Sequence, residues 1–144
     1  MIISLSINAI KSEVLAQTAL RSHLRDYYPP MLEDEHADKL PKLARGIFAQ
    51  VCLSIAPALR NCNVGEESDI LQLELDDNLP CNAIALRLLI EHAISSKMLA
   101  EIYAGTDSEA SAIFEQDYAT SIRCLQRNVQ IPYSPSIQII PHAM

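Results

Sequence analysis

The chain has 144 residues, with 49% hydrophobic and 20% charged side chains and a formal net charge of −7 at pH 7. That length is enough to bury one core without disulfide or metal staples. The acidic balance argues against tight nucleic-acid binding, which needs a basic surface, and three glycines with no tryptophan fit helical packing better than a turn-rich sandwich or barrel.

Residues 2 to 6 read as a short extended lead-in, and Ser6 as the N-cap of a helix over about 7 to 26 supported by Ile7, Ile10, Val14, Leu20 and Leu24. Tyr27-Tyr28-Pro29-Pro30 ends it, because a residue before proline is pushed out of the helical region. Residues 31 to 39 read as a short acidic helix. A second strong helix enters through Pro41, and Leu40, Leu43, Ala44, Ile47, Phe48, Val51, Ile55 and Leu59 make one broad apolar stripe along it. Pro57 bends or stops this helix in its last turn, and Gly46 marks a close helix crossing. Asn61-Cys62-Asn63-Val64-Gly65 reads as a loop.

Leu71-Gln72-Leu73-Glu74-Leu75 alternates apolar and polar, the period of a half-buried strand. An isolated strand needs a partner, and the candidates are Ile2 to Ser6, the tail Ser136 to Ile140, or a neighbouring subunit. After the turn Asp76-Asp77-Asn78-Leu79-Pro80 comes a third helix, about 82 to 104, apolar around most of its circumference and therefore central. At Gly105-Thr106-Asp107-Ser108-Glu109 a left-handed glycine is expected to stop it, and a Thr106–Glu109 capping box to start a fourth helix, about 107 to 127. The tail, 131 to 144, has prolines enough to stay extended and apolar residues enough to seek a surface. The expected fold is mainly all-α: a four-helix-bundle-like domain over 1–130, a strand or hairpin insertion around 70–76, and an extended tail.

Chemistry is less legible. No apolar run reaches the roughly 18–20 residues needed to span a bilayer, and the start lacks the features of a signal peptide, so a cytosolic location is expected. Cys52 and Cys124 read as core residues, while Cys62 and Cys81 flank one segment and are able to approach each other. Arg21, Arg25, Lys39, Lys42, Arg45 and Arg60 leave room for a local basic patch. Glu33 and His36 form one Glu-x-x-His, but a carboxylate-bridged di-iron bundle needs a second, and the chain has none. His23 and His142 have no acidic or cysteine neighbours at ligand spacing. Neither metal nor cofactor is expected, and no sharp glycine-flanked turn presents a nucleophile.

Arg87-Leu88-Leu89-Ile90-Glu91-His92 matches the loose Arg-x4-His pattern of the HEPN ribonucleases, small all-helical domains that cut RNA as dimers. That resemblance implies Arg87 steadying a phosphate and His92 acting as acid or base. Residues five apart on a regular helix point about 140° apart, whereas Glu91 is the natural ion-pair neighbour of Arg87. A surface Arg–Glu pair and a partly buried histidine are the alternative, with Lys97–Glu101 a second structural pair on the same helix.

The order of parts resembles another family. A helix near the start, a second ending Ser54-Ile55-Ala56-Pro57-Ala58-Leu59, a strand insertion and an apolar helical hairpin are similar in layout to the helical connector proteins of tailed bacteriophages and prophages (head-completion or neck proteins), over about residues 5 to 128. The proline-rich segment between the first helices and the apolar tail depart from that layout. The resemblance implies a non-enzymatic subunit that forms a homo-oligomer, in a ring, between portal and tail proteins, in the cytoplasm or the virion. It gives Leu71, Leu73 and Leu75 of the strand and Ile137, Ile139 and Ile140 of the tail a use: completing a sheet or groove on an adjacent subunit. An acidic channel lining would let DNA slide past. A small protein–protein interaction module is the third reading.

Overall fold

A helix with apolar side chains around most of its circumference is stable only in the middle of a fold. The computed structural model describes residues 1–24, 39–64 and 69–130. In chain order these form strand β1 (Ile2–Ser6), helix α1 (Ile7–Leu24), helix α2 (Leu40–Ser54), a 3-10 turn (Ala56–Ala58), strands β2 (Leu59–Asn63) and β3 (Ile70–Leu75), and helices α3 (Ala83–Tyr103) and α4 (Ser108–Asn128). The described chain is mainly α-helical, and α3 is its centre: it packs against α1, α2, α4 and β1. Leu86, Ile90, Ala93, Ile94, Met98, Leu99 and Tyr103 are all buried along it. Asn82 starts α3 by accepting the Ile84 amide at 2.7 Å.

The strand expected to seek a partner outside the subunit has two within it. β3 is the middle of a three-stranded antiparallel sheet in the order β1-β3-β2, pairing Ile3 with Leu73 and Leu5 with Leu71 on one side and Cys62 with Leu73 on the other. Leu71, Leu73 and Leu75 face the core at 0%, 1% and 0% exposure. This corrects their assignment as residues that meet an adjacent subunit: their apolar face is covered by this chain's own helices. It also corrects the loop expected at 61–65. Leu59–Asn63 is the edge strand β2, and it escapes notice because an edge strand exposed along most of its length carries no apolar alternation.

Helix starts are secured across long sequence distances. Ser6 caps α1 as expected, its Oγ accepting the Ala9 amide at 3.3 Å. Asp69, at the mouth of β3, adds a second cap: its carbonyl accepts the Ile7 amide at 2.8 Å and its carboxylate accepts the Asn8 amide at 2.8 Å. Thus three amides of the first turn, which no helix can satisfy internally, are met partly by a residue of the sheet. Farther along α1 the buried stripe runs through Ile10, Val14 and Thr18, while Leu20, expected to support it, is exposed.

The α3–α4 turn is built differently from its sequence reading. Gly105 does not take a left-handed φ; the Thr106 and Asp107 amides instead donate to the Tyr103 carbonyl at 3.1 and 2.9 Å. The N-cap of α4 is Asp107, not Thr106, with its carboxylate accepting the Ala110 amide at 3.0 Å. Asp107 is also the counter-charge of Arg21, 3.6 Å away, whose guanidinium lies 5.6 Å from the Tyr103 ring centroid and 5.9 Å from that of Phe114. One carboxylate therefore caps α4 and anchors α1 to the hairpin. Elsewhere, α2 stops at Ser54, so Pro57 falls in the 3-10 turn and not in the helix. Gly46 has nothing within 4 Å of where a Cβ would sit, so it marks no close crossing.

Asp107→Ala removes both roles and is expected to lower stability by about 2 kcal/mol in urea unfolding, whereas Asp107→Asn keeps a capping oxygen and loses about half as much. Equal losses for the two would show that Asp107 acts through charge alone.

Candidate functional site

Three helices meet at an open groove. On α1, Ile10 and Glu13 lie three residues apart and share a face. On α3, Leu88, Glu91, His92, Ser95 and Leu99 do the same over about three turns, and α4 contributes Phe114 and Asp117. The resulting groove has a volume of about 440 Å³. Its floor is apolar where Ile10 and Leu99 are buried, and polar where Ser95 and Ser96 are buried. Glu13, Glu91 and Asp117 give it three carboxylates, and His92 is exposed within it, its Nε2 3.5 Å from Ser96 Oγ. An apolar floor with acidic walls suits a segment carrying apolar and basic side chains. Among the described residues no group of three or more His, Cys, Asp or Glu is placed to hold a metal ion, and no helix is long and apolar enough to cross a membrane.

Arg87 and His92 are not brought together. Arg87 lies in a separate depression with Ile2, Ile3, Ser4, Ala83 and Ile84, and its Nε pairs with Glu91 Oε1 at 3.9 Å, the ion pair that four-residue spacing favours. His92, expected to be partly buried, is exposed instead. Lys97 extends the second expected pair into a bridge between helices: its ammonium is 3.7 Å from Glu101 on its own helix and 2.6 Å from Glu115 on α4, and 5.4 Å from the Tyr118 ring centroid. The hydrogen bond to Glu115 holds the Lys97 ammonium above its usual range, with both carboxylates adding to it.

All four cysteines are free thiols. Cys62 is the neighbouring thiol that adds to the rise burial gives Cys52. Glu33, His36, His142 and the tail residues Ile137, Ile139 and Ile140 lie outside the described residues, as does the side chain of His23.

Sequence reasoning missed the groove. Glu13, Ser95 and Asp117 belong to no motif in the sequence, and only the packing of α1 and α4 on α3 brings them together. The one available signal was on α3, where Glu91, His92, Ser95 and Ser96 put four polar residues within six positions of a largely apolar helix. No family model, no curated protein and no solved structure matches the chain.

The Lys97 bridge gives a signed pH dependence. A raised folded pKa means that its stabilisation is complete below the ordinary lysine pKa, about 10.4, and is lost as pH climbs through the raised value. Stability measured by urea unfolding is therefore expected to fall above about pH 10.4 in the native chain and to fall less steeply in Lys97→Met. Identical slopes would contradict the bridge.

Proposed function

We propose that this chain is a non-enzymatic assembly subunit that associates with copies of itself in the manner of a tailed-phage or prophage head–tail connector, in the cytoplasm or in the virion. Portal and tail proteins are its further partners in this reading. The observation that carries the proposal is an apolar strip left uncovered at the start of the central helix. Ile84 and Leu88, one turn apart on α3, are 60% and 56% exposed, and Ile2, beside Ile84, is 61% exposed. Leaving such side chains in water forgoes about 1.5–3 kcal/mol each, and a second copy of the chain covers them.

Charge favours a head-to-tail contact. The groove next to Leu88 is acidic through Glu13, Glu91 and Asp117, whereas the start of α2, which does not line it, exposes Lys39 and Lys42. A basic end meeting an acidic groove joins two different surfaces, the kind of contact that closes into rings. The four described helices form a bundle-like wall in this reading, and the tail residues Ile137, Ile139 and Ile140 reach a neighbour. The separate depressions that hold Arg87 and His92 favour a role without catalysis.

Light scattering of the full chain over a range of concentrations tests the proposal. The native chain should associate, Leu88→Asp should reduce the association at least tenfold while leaving the helical circular dichroism unchanged, and Ile137, Ile139 and Ile140 changed together to Ser should weaken it further. A native chain that stays monomeric throughout, or association indifferent to Leu88→Asp and Ile84→Asp alike, would refute it.

A further inference from the structure

Two thiols lie at the corner between α2 and β2, away from the groove. Cys52 is 3% exposed near the end of α2. The chain reverses through the 3-10 turn Ala56–Ala58, and β2 then carries Cys62 to the position opposite Leu73. Directly paired residues of an antiparallel ladder project from the same face, and Leu73 is buried on the core face, so Cys62 projects toward the side of the sheet that the core occupies. It sits on an edge strand, however, and is exposed. Helix α2 packs on β3, the strand with which Cys62 pairs, and Cys62 is the neighbouring thiol that adds to the rise burial gives Cys52. A buried thiol on a helix and an exposed thiol on a sheet edge are thus juxtaposed, joined by a short reversal of the chain.

We propose that Cys52 and Cys62 are a redox-responsive pair, which a small-molecule disulfide such as glutathione disulfide closes into an intramolecular bond that staples the edge of the sheet to α2. The exposed member reacts first. The Cys62 thiolate attacks one sulfur of glutathione disulfide, forming a mixed disulfide and releasing one glutathione thiolate. Cys52 then loses its proton to solvent and attacks the Cys62 sulfur, releasing the second glutathione. Two protein thiols are oxidised and one glutathione disulfide is reduced to two glutathiones, so atoms and electrons balance. Burial, with the neighbouring Cys62 adding to it, pushes the Cys52 thiol up to about 12. The second step is therefore the slow one, because the thiolate is the nucleophile.

The test is incubation of the full-length reduced protein with glutathione disulfide, followed by acid quench, alkylation and peptide mapping under non-reducing conditions. The free thiol count should fall from four to two in single chains, with Cys52 and Cys62 in one cross-linked peptide pair. A glutathione adduct on Cys62 should precede it, and closure should accelerate about tenfold per pH unit between about pH 7 and 9. The Cys81→Ala/Cys124→Ala variant should close at the native rate, and Cys62→Ser should leave Cys52 reduced. A Cys62–Cys81 bond, or an adduct on Cys62 that persists at every pH while Cys52 stays free, would overturn the pairing.

Discussion

The burial of α3 along its middle and end, between α1, α2, α4 and β1, is the constraint that the rest of the fold answers to. Ile90, Ile94 and Met98 are each fully enclosed, and truncating a buried side chain of this size to alanine costs about 2–5 kcal/mol. A single helix cap is worth about 1 kcal/mol, an exposed pair such as Arg87–Glu91 less, and Asp107, which caps and pairs at once, reaches only the low end of that range. Packing on α3 therefore sets which face α1, α2, α4 and the sheet turn inward. The polar contacts then fix register and angle. Asp69 ties the start of α1 to β3, Asp107 ties α1 to the hairpin turn, and Gln126 donates to the Ser54 carbonyl at 3.0 Å, joining the end of α4 to the end of α2.

What could be read along the chain was whatever repeats locally. The stripe from Leu40 to Leu59, the apolar side chains around most of α3 and the alternation at 71–75 are periodic signals, and each corresponds to an element of the structure, although α2 ends at Ser54 and Leu59 begins β2. Signals that depend on distant neighbours were out of reach. Leu59–Asn63 is a strand because β3 offers it an edge, not because its own residues alternate. Thr106 looked like the cap because a capping box is a local pattern, yet Asp107 takes the role where Arg21, 86 residues earlier in the chain, supplies a second partner for its carboxylate. Sequence position left Cys62 only able to approach Cys81, whereas the reversal at Ala56–Ala58 brings β2 back along β3, on which the helix of Cys52 packs. The groove belongs to the same class, since its carboxylates come from three helices.

Completing the sheet within one chain changes the basis of the functional reading. A lone strand would have been a direct invitation to another subunit; a paired β3 is not. The case for association now stands on Ile84, Leu88 and Ile2, which stay exposed after every strand and helix of the described chain has found its partner. It also stands on the acidic groove alongside them. Ile84, Leu88 and Ile2 lie at the junction of β1 with the first turns of α3, so the surface that the proposed association uses is held by the central helix of the described chain. A rigid platform of this kind reduces the ordering cost of association.

Backbone hydrogen exchange measured at a dilution where the protein is monomeric tests the central claim most directly. If the sheet is closed within one chain and α3 is the enclosed centre, the amides of residues 71–75 and 90–100 exchange slowly, and their protection does not change as the protein is concentrated. Free exchange at 71–75 in the monomer, with protection arriving only on association, would contradict the account.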